Sequence, residues 1–309
     1  MLEFEILIDD FLYNLDDDTT VGYFKKEKIL SLTNDFENGI WRYSKFQSFI
    51  WDNIAETSLS YNERESLIDK KFNTLVESAK KLRLIDSKKN QIGQGSELAE
   101  IILYGIMKHY YKALPVVPKI FYKQNNQDNA KGSDSVHIVI DGNNEFSLWL
   151  GEAKFYNSIE DDRLDTIITS IKNSLELEKL KKENSIITNL PDLNRFLNKN
   201  SNLYDNIIKL LAKESSIDDL KPKLHIPILL LYECTITKKF NELSEELKKQ
   251  LYDYHLERVK SYFSKQIKKL KEKIHKYDSI HFHVIILPVP CKNKIIDKFV
   301  ENVEHYKNQ

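Results

Sequence analysis

Cysteine is scarce in this sequence: Cys234 and Cys291 are the only two in 309 residues. Their spacing makes neither a disulfide framework nor a zinc site, so we expect two buried thiols in a reducing compartment. No apolar run approaches the roughly 20 residues that span a bilayer, and 30% of the residues are charged. The sequence therefore predicts a soluble cytoplasmic protein without a membrane segment.

The sequence also lacks an excess of charge of either sign. The chain carries 46 Lys and Arg residues against 47 Asp and Glu residues, which gives a net charge of −1. A dedicated duplex-coating protein is usually basic overall, so any binding of nucleic acid is expected to be local or shared with a partner. A Walker A sequence is absent as well, so ATP-driven work would have to come from another polypeptide.

The first part of the chain is predicted to be helical. The segments "YSKFQSFIWDNIAETSL" and "SYNERESLIDKKFNTLVESAKKLRL" place apolar residues near helical spacing, and Ser60 with Glu63 predicts a capping box at the second segment. The polar stretch "DSKKNQIGQGS", residues 86–96, is the best candidate for a boundary. We therefore predict a mostly helical N-terminal region over residues 1–90 and a second domain over residues 91–309.

Helices and strands alternate in the second domain. The segment "SELAEIILYGIMKHYY" predicts a helix capped by Ser96, "VPKIFYK" a short strand, and "GSDSVHIVIDGNNEFSLWLGEAKFY" two strands joined by a hairpin turn. The runs "LHIPILLLYECTI" and "SIHFHVIILPVP" predict two further buried strands. Helical insertions are expected at about 180–220 and 241–277, the second as one long helix or a broken pair. The pattern indicates an α/β (α+β) fold with a central mixed sheet flanked by helices.

The strand "FSLWLGEAKFY" ends in charge, although its first residues are apolar. Residues two apart on a strand share a face, so Glu152 and Lys154 point together. Asp134 begins the preceding strand of the hairpin, and counting outward from the turn brings it opposite the Glu152 region, within a residue or two. The sequence therefore predicts that Asp134 and Glu152 converge beside Lys154.

Two carboxylates a few ångströms apart repel unless a cation compensates them. A divalent metal is such a cation, and Mg²⁺ commonly binds one or two carboxylates together with waters and phosphate oxygens. Lys154 would then hold the attacking water or stabilise charge on the phosphorane, and the arrangement indicates phosphodiester hydrolysis. On spacing alone, a cross-strand ion pair at the sheet edge explains the same residues equally well.

Two acids on the upstream helix help to decide between a metal site and a cross-strand ion pair. Glu97 and Glu100 lie in its first turn and a half, where acids are common because they offset the helix dipole. Glu100, however, precedes an apolar run on a helix that looks largely buried, so its carboxylate needs a partner. A metal site would supply one, which favours the functional interpretation.

The helix glutamate, the "GSD" that opens one strand and the "GEAK" that ends the next together resemble the core of PD-(D/E)XK nucleases. More closely, "AEIILYGIM", "PKIFYK", "GSDSVHIVI" and "LWLGEAKFY", in this order and spacing, resemble the HamA nuclease subunits of Hachiman anti-phage defence systems. The matching motifs cover roughly residues 95–160. Asp134 follows Gly-Ser rather than the proline of the fold's name, a departure that the fold tolerates.

The resemblance implies a restriction-endonuclease-like core and a metal-dependent DNA nuclease. Asp134, Glu152 and Lys154 inherit the catalytic roles, and Glu100 takes the position on the helix, with Glu97 as its alternative. Glu100, Asp134 and Glu152 would then bind Mg²⁺, for which Mn²⁺ can substitute.

The resemblance also implies a partner, a helicase subunit (HamB-like) that senses or unwinds phage-altered DNA and restrains or releases cleavage. Two other functions stay open. The chain could be a catalytically inactive adaptor with a nuclease fold that binds the helicase and DNA, or it could cut RNA instead of DNA.

Other polar residues have ordinary structural explanations. His281 and His283 share a strand face, but no third metal ligand lies within reach by spacing, so a structural pair is expected. Lys119, Lys123 and Lys131 flank the predicted site and could meet phosphates or simply lie at the surface. The lysine-rich second half of helix 241–277 could contact the DNA backbone, although a solvated helix face is the simpler expectation.

Overall fold

The apolar and β-branched runs of the sequence form one central sheet. The computed structural model describes residues 1–15, 24–84, 94–124, 132–143, 145–189 and 202–309. In this part the strands are β1 (Glu5–Phe11), β2 (Glu27–Thr33), β3 (Phe36–Glu37), β4 (Ile40–Trp41), β5 (Leu114–Val117), β6 (Ser135–Ile140), β7 (Phe146–Tyr156), β8 (Leu224–Glu233) and β9 (His281–Val289). β3 and β4 form a separate two-stranded sheet, and the other seven strands form the central sheet.

The central sheet has the strand order β1-β2-β9-β8-β7-β6-β5. Its middle strands, β2, β9, β8 and β7, run parallel, and antiparallel pairing adds β1 at one edge and β6 and β5 at the other. Parallel strands need crossover connections, which helices supply. The predicted α/β fold with a central mixed sheet flanked by helices is thus confirmed, and it is consistent with a nuclease-like core.

The helices are α1 (Tyr43–Ser58), α2 (Tyr61–Ser66), α3 (Lys71–Lys80), α4 (Gln94–His109), α5 (Lys119–Gln124), α6 (Asp161–Ser174), α7 (Leu177–Asn189), α8 (Asn202–Leu211), α9 (Ile217–Leu220), α10 (Glu245–Leu270) and α11 (Lys292–Lys307). The predicted insertion at 241–277 is a single helix over most of its length, capped by Ser244, whose hydroxyl accepts from the N–H of Leu247. Within the described residues, no helix is both long and apolar enough to cross a membrane.

Two apolar cores cover the two faces of the sheet, because successive side chains of a strand point to opposite sides. On β7, Leu148 and Leu150 point into the core that includes apolar residues of α6 and α10, and we call this side the α6 face. Trp149 and Ala153 point into the core that includes apolar residues of α1, α4 and α11, and we call this side the α4 face. Glu152 and Lys154 follow the alternation of Leu148 and Leu150 and therefore lie on the α6 face.

The N-terminal part of the chain differs from the prediction. Helices occupy residues 43–58, 61–66 and 71–80, and the capping box of Ser60 and Glu63 is confirmed. Residues 5–11 and 27–33 are strands instead, and β2 pairs in parallel with β9 inside the central sheet. The prediction of a mostly helical region is wrong for these two segments, because "EILIDDF" and "EKILSLT" gain their stability from distant strands rather than from local pattern.

Two local boundaries also differ from the sequence prediction, and a third is not tested. The predicted boundary segment lies mostly outside the described residues, and the helix after it begins at Gln94, before the proposed Ser96 cap. The strand predicted in "VPKIFYK" ends at Val117, and residues 119–124 are helical. Pro118 explains this change, since proline favours the start of a helix and its carbonyl accepts from the N–H of Tyr122 at 3.2 Å.

Candidate active site

The hairpin of β6 and β7 sets the position of the candidate catalytic residues. Ser135 pairs with Gly151, so Asp134 stands opposite Glu152 one step further from the turn. The N–H of Asp134 donates to the carbonyl of Gly151 at 2.7 Å, which extends the pairing to Asp134 itself. At the other end, the N–H of Asp141 donates to the carbonyl of Glu145 at 2.9 Å and closes the turn.

The ammonium group of Lys154 joins the two carboxylates. Its Nζ lies 3.3 Å from Oδ2 of Asp134 and 3.2 Å from Oε2 of Glu152. The same Oδ2 of Asp134 accepts from the N–H of Ala153 at 3.1 Å, which fixes the carboxylate against β7. The structure therefore brings together three of the predicted site residues, which we call the carboxylate cluster: Asp134, Glu152 and Lys154.

The charge state of Lys154 follows from this geometry. Burial by itself would lower the pKa of Lys154, but the charges of Asp134 and Glu152 and their hydrogen bonds outweigh it and raise that pKa. Lys154 is therefore an ammonium ion at neutral pH. It acts as a hydrogen-bond donor and a positive charge, and it is not a base.

The carboxylate cluster lines a cavity of about 380 Å³. The side chain of Glu152 is 8% exposed, that of Asp134 14% and that of Lys154 27%, so the cluster is shielded but remains reachable from solvent. The cavity is lined by Gly132, Asp134, Glu152, Lys154, Ser170, Asn173, Ser174 and Lys179. An ion pair that served only to hold two strands together would not require such a space beside it.

The two helix acids occupy different environments. Glu97 accepts hydrogen bonds from the N–H groups of Arg83 and Leu84, at 3.1 and 3.4 Å, and so ties α4 to the segment after α3. Glu100 is only 1% exposed, and the hydroxyl of Ser96 donates to its Oε1 at 3.3 Å. Neither acid is among the residues that line the cavity. In the part of the chain that the structure describes, no three His, Cys, Asp or Glu residues are grouped so that they could hold a metal ion.

Comparison with known proteins gives the family. The family model of HamA matches residues 9–303, nearly the whole chain. The chain belongs to the HamA family. Membership of the HamA family indicates a component of a Hachiman defence system, and it extends the likeness well beyond residues 95–160. Comparison with curated proteins gave no match.

In this HamA family member, Gly151 of the "GEAK" motif has a packing role. A Cβ atom at Gly151 would lie 2.8 Å from Cδ2 of Leu103 and 2.2 Å from Oγ of Ser135, distances that real Cβ atoms do not reach. Glycine at this position therefore lets α4 approach β7 on the α4 face. The motif combines a small residue that seats the helix with charges on the opposite face of the strand.

A buried ion pair that the sequence did not reveal lies under the start of β6. Lys119 and Glu183 are 1% and 4% exposed, and their charged atoms are 2.7 Å apart. Glu183 also accepts from the N–H of Ser133 at 3.0 Å, and a Cβ atom at Gly132 would collide with its carboxylate. Lys119 is thus a buried residue of this pair, which contradicts both expectations for it, surface lysine and phosphate contact. The pair fixes the backbone directly before Asp134.

Two tyrosines lie within electrostatic reach of Glu152. Tyr156 lies two residues after Lys154 on the same face of β7, a spacing that was visible in the sequence, and Tyr262 is a fully buried residue of α10. Burial is the main cause that raises the pKa of both tyrosines; the charge of Glu152 adds to it, and at Tyr156 the charge of Lys154 opposes it. Neither hydroxyl has a hydrogen-bond partner among the described residues. Both groups remain protonated and can donate.

The predicted histidine pair has a third member. His225 of β8 lies in register with Trp149 of β7 and with His281 of β9, and its ring stacks on that of His281 with centroids 4.3 Å apart. Nδ1 of His225 and Nε2 of His283 are 2.9 Å apart, a hydrogen bond between two imidazoles. We call His225, His281 and His283 the imidazole cluster. It lies on the α4 face and does not form a metal-binding group within the described part of the chain.

Among the described residues, two of the other places that have an acid, any residue and then a lysine, as Glu152-Lys154 has, do not form a comparable pair. In Glu246-Lys248 the lysine pairs with Glu245 at 3.0 Å, on the surface of α10. In Asp219-Lys221 the lysine pairs with Asp218 at 2.9 Å. The context of Glu152 and Lys154, rather than their spacing, distinguishes the HamA family motif.

Proposed function

We propose that the chain is a metal-dependent nuclease that hydrolyses phosphodiester bonds of DNA, and that it is the effector subunit of a Hachiman complex with a helicase partner. The observation that carries the proposal is the convergence of Asp134 and Glu152 on the ammonium group of Lys154 at the wall of a cavity. Two acids and a lysine from adjacent strands beside a ligand-sized space fit hydrolysis of a charged substrate. Membership of the HamA family supports the defence role.

The donor set of the cavity fits magnesium. Mg²⁺ prefers hard oxygen ligands and is usually bound by one or two carboxylates, together with waters and phosphate oxygens of the substrate. Asp134 and Glu152 would hold it, and Mn²⁺ would substitute. Glu100 is the better candidate for a ligand from the helix, because Glu97 is already engaged by two backbone N–H groups. When bound, such a metal lowers the pKa of a bound water and neutralises charge at the phosphate.

The residues of the chain itself would orient and stabilise the reacting groups. Lys154, as an ammonium ion, would donate to a phosphate oxygen or to the attacking water. The hydroxyl of Tyr156 points from the same face of β7 and would donate beside it. The buried pair of Lys119 and Glu183 would hold Asp134 in place, since it fixes the residues that precede it.

The partner is proposed on grounds of both sequence and family. The chain has no Walker A sequence, so unwinding or translocation would require a second subunit that hydrolyses ATP. A helicase of the same defence system would supply this activity and deliver DNA to the cavity. The near-zero net charge agrees with a subunit that shares its contacts with DNA.

A second function deserves a test because one observation favours it. The ammonium group of Lys154 already compensates both carboxylates without a metal ion. Such a neutralised cluster suits an inactive adaptor that keeps the nuclease fold in order to bind the helicase and DNA. The two functions differ in whether phage protection depends on the carboxylates.

The test compares cleavage by the native complex with cleavage by variants. The chain is purified together with the proposed helicase partner, and linear and supercoiled DNA are incubated with Mg²⁺. We expect Asp134→Asn and Glu152→Gln each to lower the cleavage rate by at least about 100-fold, since even groups that only support a metal ligand cost about 10–100-fold. Removing the metal with a chelator should abolish cleavage, and Mn²⁺ should restore it.

The matched control is Glu246→Gln, the same chemical change in an acid-any-lysine pair on the exposed surface of α10. It should leave cleavage unchanged. Cleavage that persists in Glu152→Gln would refute the proposed site. Absence of cleavage by the native complex, together with full phage protection by Glu152→Gln, would establish the adaptor instead.

A further inference from the structure

The cavity has a second wall that the carboxylate cluster does not form. Asp134, Glu152 and Lys154 come from the sheet, whereas the facing residues come from α6 and α7. These facing residues are Ser170, Asn173, Ser174 and Lys179. At about 380 Å³ the space lies at the low end of the ~300–1,000 Å³ typical of ligand pockets. A substrate in this cavity must therefore touch both walls.

The orientation of α6 is set by its other two sides. Its apolar residues, Leu164, Ile167, Ile168 and Ile171, are buried against the sheet. Asp161 and Asp165 lie on the flank toward α10, where their carboxylates are 3.1 and 2.8 Å from lysine ammonium groups of that helix. With 3.6 residues per turn, Ser170 and Ser174 fall on the opposite flank. That flank faces the cavity, and Asn173 lies beside it.

Three of the four polar side chains of this wall have no hydrogen-bond or ion-pair partner among the described residues. Ser170 and Asn173 make no side-chain hydrogen bond to any residue that the structure describes, although Ser174 donates to the carbonyl of Ile171 at 2.9 Å. Lys179, half-buried in the first turn of α7, has no ion pair within the described ranges. Lys154, the other cation of the cavity, is instead shared between two carboxylates. The second wall thus offers one positive charge and two free polar side chains.

We propose that Lys179, together with Ser170 and Asn173, binds a phosphate of the nucleic-acid backbone in this cavity. The inference rests on the proposed function and deepens it, because it assigns the residues that grip the substrate. The ammonium group of Lys179 binds a phosphate oxygen, and the hydroxyl of Ser170 and the amide of Asn173 donate to phosphate or sugar oxygens. The carboxylate cluster then carries out the reaction, and the second wall holds the nucleic-acid strand in position.

The chemistry of the two walls is complementary. A phosphodiester carries one negative charge, and two carboxylates in the same space repel it unless a positive charge lies on its other side. Lysine, serine and asparagine are common donors to phosphate and sugar oxygens in complexes with nucleic acids. Such contacts do not read the bases, so the wall fits a nuclease without sequence preference.

The experiment measures binding rather than cleavage, so that its outcome is separate from that of the nuclease proposal. The full chain carrying Glu152→Gln is titrated against a labelled DNA single strand, the corresponding duplex and an RNA strand of the same sequence, at several salt concentrations. Adding Lys179→Ala should weaken binding by roughly tenfold. It should also reduce the slope of log K against log [salt] by about 0.9 on duplex and about 0.7 on single strands, the loss of one phosphate contact.

Two variants control this result. Lys181→Ala removes an exposed lysine of the same helix and should leave the salt slope unchanged. Lys179→Arg keeps the charge and should restore most of the slope. The inference is overturned if Lys179→Ala and Lys181→Ala give the same affinity and slope on every nucleic acid, or if the parent chain binds none of them. Either result leaves the cleavage test with Asp134→Asn standing, so the two proposals fail separately.

Discussion

The carboxylate cluster and the imidazole cluster are both polar groups set into the central sheet, yet their surroundings are opposite. The carboxylate cluster lies toward the end of β7 on the α6 face, carries charges of both signs and lines a cavity. The imidazole cluster lies at the start of β8 and β9 on the α4 face, where its rings stack on one another and on Trp149. It is not among the residues that line the cavity.

The two clusters also differ in their charge. The carboxylates raise the pKa of Lys154, so the first cluster keeps its charge. Burial lowers the pKa of His225 to about 3 and that of His281 to about 4, so the second cluster is neutral at physiological pH. Charge held beside an open space can act on a ligand, whereas neutral stacked rings contribute packing. This difference is the reason why we assign the proposed function to the carboxylate cluster and not to the imidazole cluster.

The largest effect on stability is expected at the imidazole cluster. Trp149 is 4% exposed, and its ring centroid lies 4.4 Å from those of His225 and His283. Trp149→Ala should lower the free energy of unfolding by about 4 kcal/mol, because it removes a buried aromatic ring and leaves a cavity. Urea denaturation measures it. Lys154→Met in the carboxylate cluster should lower the same free energy by less, because the charges that it leaves uncompensated remain reachable from solvent. Equal losses would show that both clusters are structural.

The next largest loss of stability is expected at the buried pair of Lys119 and Glu183, which supports the carboxylate cluster. Glu183→Gln removes the charge that compensates the buried ammonium group of Lys119, and it should cost about 3 kcal/mol of unfolding free energy. It should also reduce cleavage, because the segment before Asp134 loses its anchor. The double variant Lys119→Met/Glu183→Met should recover most of the stability. If cleavage by Glu183→Gln is normal, the buried pair does not position Asp134.

The sequence predicted the elements whose signal is local. The β6–β7 hairpin follows from its alternation and from the Asp-Gly and Asn-Asn residues of its turn, and α10 follows from the helical spacing of its apolar residues. The relation of Asp134 to Glu152 was accessible for the same reason, since a hairpin fixes its own register.

What the sequence did not predict depends on distant partners. The strand β2 is held by pairing with β9, far along the chain, and β1 joins the sheet only through β2. Lys119 and Glu183 are 64 residues apart, and His225 and His283 are 58 residues apart, so no local pattern connects either pair. The second wall of the cavity was missed because the polar flank of an amphipathic helix gives the same pattern whether it faces solvent or a cavity.

A smaller effect is expected from acid, and it should arise at the imidazole cluster. Burial is the main cause of the lowered pKa of each of its histidines, and nearby Lys26 and Lys28 add to it. The unfolded chain binds protons near pH 6.5, whereas the folded chain does not bind them until lower pH. The free energy of unfolding should therefore fall as the pH drops below 6.5, by at most about 1.4 kcal/mol per pH unit for each histidine.

Equilibrium unfolding at a series of pH values between 7 and 4 measures this loss. His281→Gln should reduce the slope of the unfolding free energy against pH by up to the contribution of one histidine. The buried residues His137 and His255, whose pKa values burial lowers to about 3, should keep the rest of the slope. An unchanged slope in His281→Gln would show that His281 binds its proton equally well in the folded and the unfolded chain.

The smallest effect is expected at the ion pairs between α6 and α10, and it decides what positions the second wall of the cavity. The ammonium group of Lys269 lies 2.8 Å from Asp165, but both side chains are about half exposed. Such exposed pairs contribute about 0–1 kcal/mol, so Lys269→Ala should leave the unfolding free energy nearly unchanged. The binding of nucleic acid by the Glu152→Gln parent should change by less than about twofold, since one exposed pair contributes so little and the apolar side of α6, buried against the sheet, keeps its orientation. A loss as large as that of Lys179→Ala would mean that α10 places Ser170 and Asn173 through this charge, and that its lysines serve the site without touching the substrate.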